Sequence, residues 1–172
     1  MLAELEERAL VARGNRGDGA ALETLYREYR QWVLALARRF TGNADDALDV
    51  LQDTFISFFD RFPGFKLTSS LRSYLYPIIK HHAIGMARRR RRLVAGVEVE
   101  LGTCLPEETG GDFARLLAVL SAEHRDVALL RFGSDFKLEE IAAALDIPVG
   151  TVKSRLHNAL KALAELQKRQ PR

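Results

Sequence analysis

Apolar residues in this chain fall three and four positions apart, and no segment alternates apolar with polar residues for long enough to build a strand. That periodicity restricts the fold to packed helices. The spacing predicts a first helix over about 2–13, ended by the turn-rich "GNRGDG". Asp18 is placed to cap a second helix, whose inward face carries Leu22, Leu25, Tyr26, Tyr29, Val33, Leu36, Ala37 and Phe40. A third is expected over about 44–62, with Ala47, Val50, Leu51, Phe55, Phe58, Phe59 and Phe62 inward. After the loop "PGFKLTSS", a fourth runs from about Leu71 into an arginine run. Pro77 lacks a backbone donor, so a kink or a late start is expected there.

Between 93 and 112 the periodicity lapses. "LVAGVEVELGTCLPEETGGD" reads as a flexible linker, with "VAGVEVEL" as a short extended piece in the alternative reading. Helices at about 113–120, 123–132, 138–145 and 149–167 follow, with Ser121 and either Ser134 or Asp135 as caps. The expectation is therefore an all-α protein of two small helical domains, 1–92 and 113–172, joined by residues 93–112.

Composition removes several classes of function. No run approaches the roughly 20 apolar residues of a membrane span, so no membrane insertion is expected. "MLAELEERAL" lacks the basic start and apolar run of a secretion signal, which favours a cytoplasmic protein. Cys104 is alone, so no internal disulfide and no cysteine-based metal site is expected. His81 and His82 are adjacent and point about 100° apart on a helix, unsuited to sharing a metal. There is no glycine-rich phosphate loop and no nucleophile with an evident base, and His124 with Asp126 reads as packing. An enzyme is not expected, nor is a cofactor.

Charge is segregated. Residues 1–70 are net −2, 71–92 net +7, 93–136 net −5 and 137–172 net +3. Two basic zones separated by acidic ones suggest two contacts with a polyanion. In the second zone, "LEEIAAALDIPVGTVKSRLHNAL" has the form of a helix-turn-helix. Leu138, Ile141, Ala142, Leu145, Ile147, Val152 and Leu156 supply its apolar set, and Asp146 occupies a corner that needs positive φ. Thr151 lies in the first turn of the second helix. Lys153, Ser154, His157 and Asn158 face outward with Arg155 on the flank, the side chains that hold phosphates and read base edges. The competing reading is an antiparallel helix pair with a solvated face.

The first basic zone, "SLRSYLYPIIKHHAIGMARRRRR", mixes aromatics with cations. Arg88 to Arg92 suit a salt-sensitive phosphate grip, and Tyr74 and Tyr76 are flat enough to carry an unstacked base unless the core claims them. "DDALDVLQDTF" displays Asp45, Asp46, Asp49, Gln52 and Asp53 opposite the apolar stripe of its helix. An acidic face repels DNA and suits a protein partner.

Three stretches resemble the extracytoplasmic-function (ECF) sigma factors, the small two-domain branch of the sigma-70 family. "GDGAALETLYREYRQWVLALARRFTGNADDALDVLQDTFISFF" is similar to the first helices of region 2. "FKLTSSLRSYLYPIIKHHAIGMARRRRR" is similar to the segment that melts and reads the −10 element. "LSAEHRDVALLRFGSDFKLEEIAAALDIPVGTVKSRLHNALKAL" is similar to region 4. The resemblance implies a promoter-specificity subunit that binds core RNA polymerase, recognises promoter DNA, helps melt it, and is held inactive by an anti-sigma partner.

By position, the resemblance puts Asp46, Asp49, Gln52 and Asp53 on the polymerase. It puts Phe65, Lys66, Thr68, Ser69, Ser70, Arg72, Tyr74, Tyr76, Lys80, His81, Arg88 and Arg89 at the −10 element, the 65–70 loop taking a flipped base. Thr151, Lys153, Ser154, Arg155, His157 and Asn158 go to the −35 element. The chain departs from the family's usual residues at Leu48, Pro77, His81, Gly85 and Asp146. The alternative is a helix-turn-helix regulator that binds duplex DNA as a dimer without polymerase.

Overall fold

The structure is a computed structural model that describes residue 2 and residues 4–95 and 112–169. The described residues are helical and contain no strand. They divide into two compact units, Met1–Pro106 and Glu107–Arg172. The extended reading of "VAGVEVEL" lies largely outside the described residues. Leu93, Val94 and Ala95, expected in the linker, instead continue a helix.

The first unit packs four helices: α1 (Glu4–Gly14), α2 (Gly19–Thr41), α3 (Ala44–Phe59) and α4 (Leu71–Ala95). Asp18 caps α2, its carboxylate accepting from the amides of Ala20 and Ala21, and Asn43 does the same for Asp45 and Asp46 at the start of α3. Gly42, at φ 68°, ends α2 in the left-handed conformation that a side chain would resist. Leu25, Tyr29, Val33 and Phe40 of α2 meet Val50, Phe55 and Phe58 of α3 and Leu71, Leu75, Tyr76 and Ile79 of α4, all buried. Burying each large apolar side chain is worth roughly 1.5–3 kcal/mol. That face is why four modest helices hold together.

Two sequence expectations are corrected in this unit. Regular α3 stops at Phe59, not Phe62, and the chain leaves through single turns at Arg61 and Phe62. Pro63 follows at once, and the residue before a proline is pushed out of helical geometry. Of the kink or late start expected at Pro77, the late start does not occur: α4 begins six residues earlier, with the proline on its exposed face.

The second unit holds α5 (Asp112–Ala118), α6 (Ala122–Ala128) running into a π-helical turn (Leu129–Gly133), α7 (Leu138–Leu145) and α8 (Val149–Arg169). Ser121 caps α6 through the His124 amide, while the Arg125 guanidinium donates to the carbonyls of Leu117, Ala118 and Leu120 at the end of α5. The expected helix over 123–132 thus changes type at Leu129. The cap of α7 is Lys137 rather than Ser134 or Asp135: its backbone amide donates to the Glu140 carboxylate at 2.8 Å. Asp135, at φ 53°, lies in the preceding bend.

Candidate nucleic-acid interface

The corner between α7 and α8 is closed by Asp146 at φ 53° and ψ 48°, with its amide and that of Ile147 both donating to the Ala142 carbonyl. Pro148 then accepts from the amides of Thr151 and Val152 and opens α8. Val152, Leu156 and Ala159 turn inward against Ile141, Ala142 and Val127, which are also buried. The opposite face of α8 consequently presents Lys153, Ser154, His157 and Asn158 to solvent, with Thr151 half-buried. Ser154 is tied down, its hydroxyl donating to the Thr151 carbonyl at 3.0 Å. Arg155 is paired as well: its Nη2 lies 2.9 Å from Oε2 of Glu123 on α6.

In the first unit the segment between α3 and α4 is anchored by aromatics. Phe65 is buried with its ring centroid 5.3 Å from that of Phe58, 5.5 Å from Phe62 and 4.6 Å from Tyr74. Ser70 serves α4, its hydroxyl accepting from the Ser73 amide at 3.3 Å. Lys66 and Thr68 project into solvent, and Ser69 is half-buried. Along α4, His81, Arg88 and Arg89 are exposed, Tyr74 and Lys80 half-buried.

The acidic helix α3 divides its carboxylates between two directions. Asp45, Asp49 and Gln52 are exposed beside Leu48 and Ile56, which are 44% and 58% exposed. Asp46 and Asp53 turn toward α4. Asp46 pairs with Arg90 at 2.9 Å, and Asp53 lies 3.9 Å from Nδ1 of His82, whose Nε2 is 3.0 Å from the Ser57 hydroxyl. The face left for a partner is therefore mixed, acidic and apolar.

Residues 25–93 match the family model of sigma-70 region 2, and residues 116–165 match that of sigma-70 region 4. The ECF RNA polymerase sigma factor SigL of Mycobacterium tuberculosis is 33% identical over 90% of this chain and 93% of its own length. The chain belongs to the ECF sigma factors. The RNA polymerase sigma-H factor of Pseudomonas aeruginosa is 28% identical over 95% of this chain and 94% of its own. Among solved structures, the sigma factor RpoE from Bartonella quintana, determined in complex with the anti-sigma factor NepR, has a TM-score of 0.62 and 29% identity. That match covers 85% of this chain and 96% of the RpoE chain.

Within this sigma factor the structure divides the expected site residues by access. Lys153, His157 and Asn158 share one open face, and Lys66, Thr68, His81, Arg88 and Arg89 are open in the first unit. Three expected −10 residues have side chains buried in the core. Tyr76 is 1% exposed beside Phe40, with ring centroids 6.2 Å apart. Phe65 plugs the aromatic cluster. Arg72 is 7% exposed, its guanidinium 5.2 Å from the Trp32 ring centroid. None of the three offers an open surface to a base. Sequence reasoning did not pick out the exposed apolar pair Leu48 and Ile56, although the i, i+4, i+8 row Leu48–Gln52–Ile56 marked one face. It also passed over Glu123, whose pairing with Arg155 has no local signal.

Proposed function

We propose that this sigma factor binds core RNA polymerase and gives it promoter specificity, with α8 at the −35 element and the 65–70 segment with α4 at the −10 element. One observation carries the reading. Two separate helical units each expose a cationic, polar surface, and each unit corresponds to one half of the sigma-70 pattern. Residues 1–92 and 113–172 act as the two functional halves, with 93–112 spanning them.

Lys153 and the amides at the start of α8 hold phosphates, while Asn158 and His157 reach base edges once the helix lies in the major groove. Arg155 joins them after leaving Glu123. On the other unit, Arg88 and Arg89 grip the backbone, and Tyr74, His81, Lys66, Thr68 and Ser69 surround an extruded base. Extrusion costs a few kcal/mol of unstacking. The exposed Asp45, Leu48, Asp49, Gln52 and Ile56 of α3 meet the polymerase, apolar contact supplying affinity and acidic residues supplying register. Asp46 and Asp53 support that face from the α4 side.

The role is non-catalytic and cytoplasmic. No helix among the described residues is long and apolar enough to cross a membrane. An anti-sigma partner that covers these surfaces is part of the proposal; RpoE in its complex with NepR is the parallel.

Run-off transcription tests the function. Purified protein with core polymerase should give discrete starts on genomic template, and no promoter-dependent product would remove the proposal. A stable dimer that binds a palindromic duplex and captures no polymerase would establish the regulator reading in its place.

A further inference from the structure

We infer that Asn15 is a positioning residue that pre-forms the 65–70 segment as a receptor for an extruded −10 base; the inference rests on the function proposed above. Asn15 lies just past α1, outside the stretch that matches region 2. Its side chain makes three hydrogen bonds to backbone about fifty residues away. Oδ1 accepts from the amides of Gly64 at 2.7 Å and Phe65 at 3.0 Å, and Nδ2 donates to the Phe65 carbonyl at 2.8 Å. That uses most of what one amide can offer.

The close approach that makes this reach workable depends on Gly14. A Cβ there would lie 2.9 Å from Cε1 of Phe62 and 2.6 Å from Cδ2 of Leu22, so any larger residue would push these two side chains aside. The far end of the segment is held from α1. Glu7 of α1, buried, accepts from the Leu71 amide at 3.0 Å, satisfying a free donor at the start of α4, and from the Tyr29 hydroxyl. Burial and the Glu7 hydrogen bond hold the Tyr29 phenol well above its ordinary pKa.

One end of the segment is thus fixed by Glu7 of α1 and the other by Asn15 in the turn that follows it, and the exposed Lys66 and Thr68 stand between them. A segment that must enclose a base loses chain entropy when it orders, and ordering it beforehand removes that cost from binding. The aromatic cluster on Phe65 fixes a side chain; Asn15 fixes the backbone on which Lys66 to Ser70 are strung.

The test is run-off transcription by core polymerase with the full chain, on templates randomised at the −10 and −35 positions, with transcripts sequenced. The unmodified chain should show base preferences at both elements. Asn15→Ala should flatten the −10 preference by about tenfold, the equivalent of one to two net hydrogen bonds. The −35 preference, read by the other unit, should stand unchanged. Asn15→Asp replaces the donor with a carboxylate oxygen that repels the Phe65 carbonyl, so it should also flatten the −10 preference, and it replaces Asn15→Ala if that variant does not fold. A −10 preference that survives substitution would overturn the inference, as would equal flattening at both elements, the mark of a general folding defect. Absence of any promoter-dependent start from the unmodified chain would remove the proposed function and this inference together.

Discussion

Replacing Glu123 by Gln tests whether Arg155 is held back from DNA by its own protein. The pair spans 2.9 Å, a separation at which Coulomb attraction in water amounts to about 1.4 kcal/mol. The Glu123 side chain is 68% exposed and the Arg155 side chain 23%, so solvent and side-chain entropy take back most of that. The net value belongs to the exposed-pair range of about 0.2–1 kcal/mol. If Arg155 must leave Glu123 to reach the −35 element, whatever the pair adds to folding it subtracts from binding. Glu123→Gln should then lower the stability of the second unit by about 0.5 kcal/mol and tighten −35 duplex binding by about two- to fivefold. Thermal unfolding gives the first quantity, and fluorescence anisotropy with a labelled −35 duplex gives the second. Both effects should shrink as salt rises. Lower stability with no gain in affinity would refute the reasoning, because Arg155 would then be a strut between α6 and α8 in the bound state as well.

Three further outcomes follow from particular residues. Asp146→Gly removes the left-handed penalty at φ 53° but frees the unfolded chain, for a net stabilisation of about 0.5 kcal/mol; Asp146→Val should cost more than about 1 kcal/mol, both read by urea unfolding. Arg88→Ala with Arg89→Ala, both exposed, should weaken promoter binding without changing base preference, and make log K fall less steeply with log salt, by about one unit of slope for each phosphate no longer neutralised. The Asp18 carboxyl is held below its ordinary value of 3.8, first by the Arg13 side chain and then by the α2 amides. Its contribution is therefore present above that ordinary value and lost as pH falls through the depressed one. Asp18→Asn keeps the cap but not the charge, so thermal melts from about pH 5 to about pH 2 should show a shallower loss of stability than the parent.

The helix-turn-helix was legible because everything that defines it is local. Asp146, Val152 and Leu156 set corner and inward face within a span of eleven residues, and the outward direction of Lys153, His157 and Asn158 follows from 3.6 residues per turn. The helix caps at Asp18 and Ser121 were legible for the same reason. Tyr74 and Tyr76 were not separable by such rules. Both are aromatic neighbours on one cationic helix, yet Tyr76 meets Phe40 in the core while Tyr74 sits half-buried at the rim. Only the packing of α4 on α2 distinguishes them. The acidic helix was readable as acidic, but not that Arg90 and His82 draw Asp46 and Asp53 to one side and leave Leu48 and Ile56 with the remaining carboxylates.

By itself the sequence determined helical class, the positions of most helices, two basic zones and the face of α8, since each is set by periodicity or by residues within a few positions of one another. The tertiary structure decided which of the expected site residues can be touched at all. It withdrew Phe65, Arg72 and Tyr76 into the core, paired Arg155 with Glu123, and brought Asn15 and Glu7 against a segment 49 to 64 residues away. Burial and long-range hydrogen bonds arise when helices pack. No property of a single helix contains them.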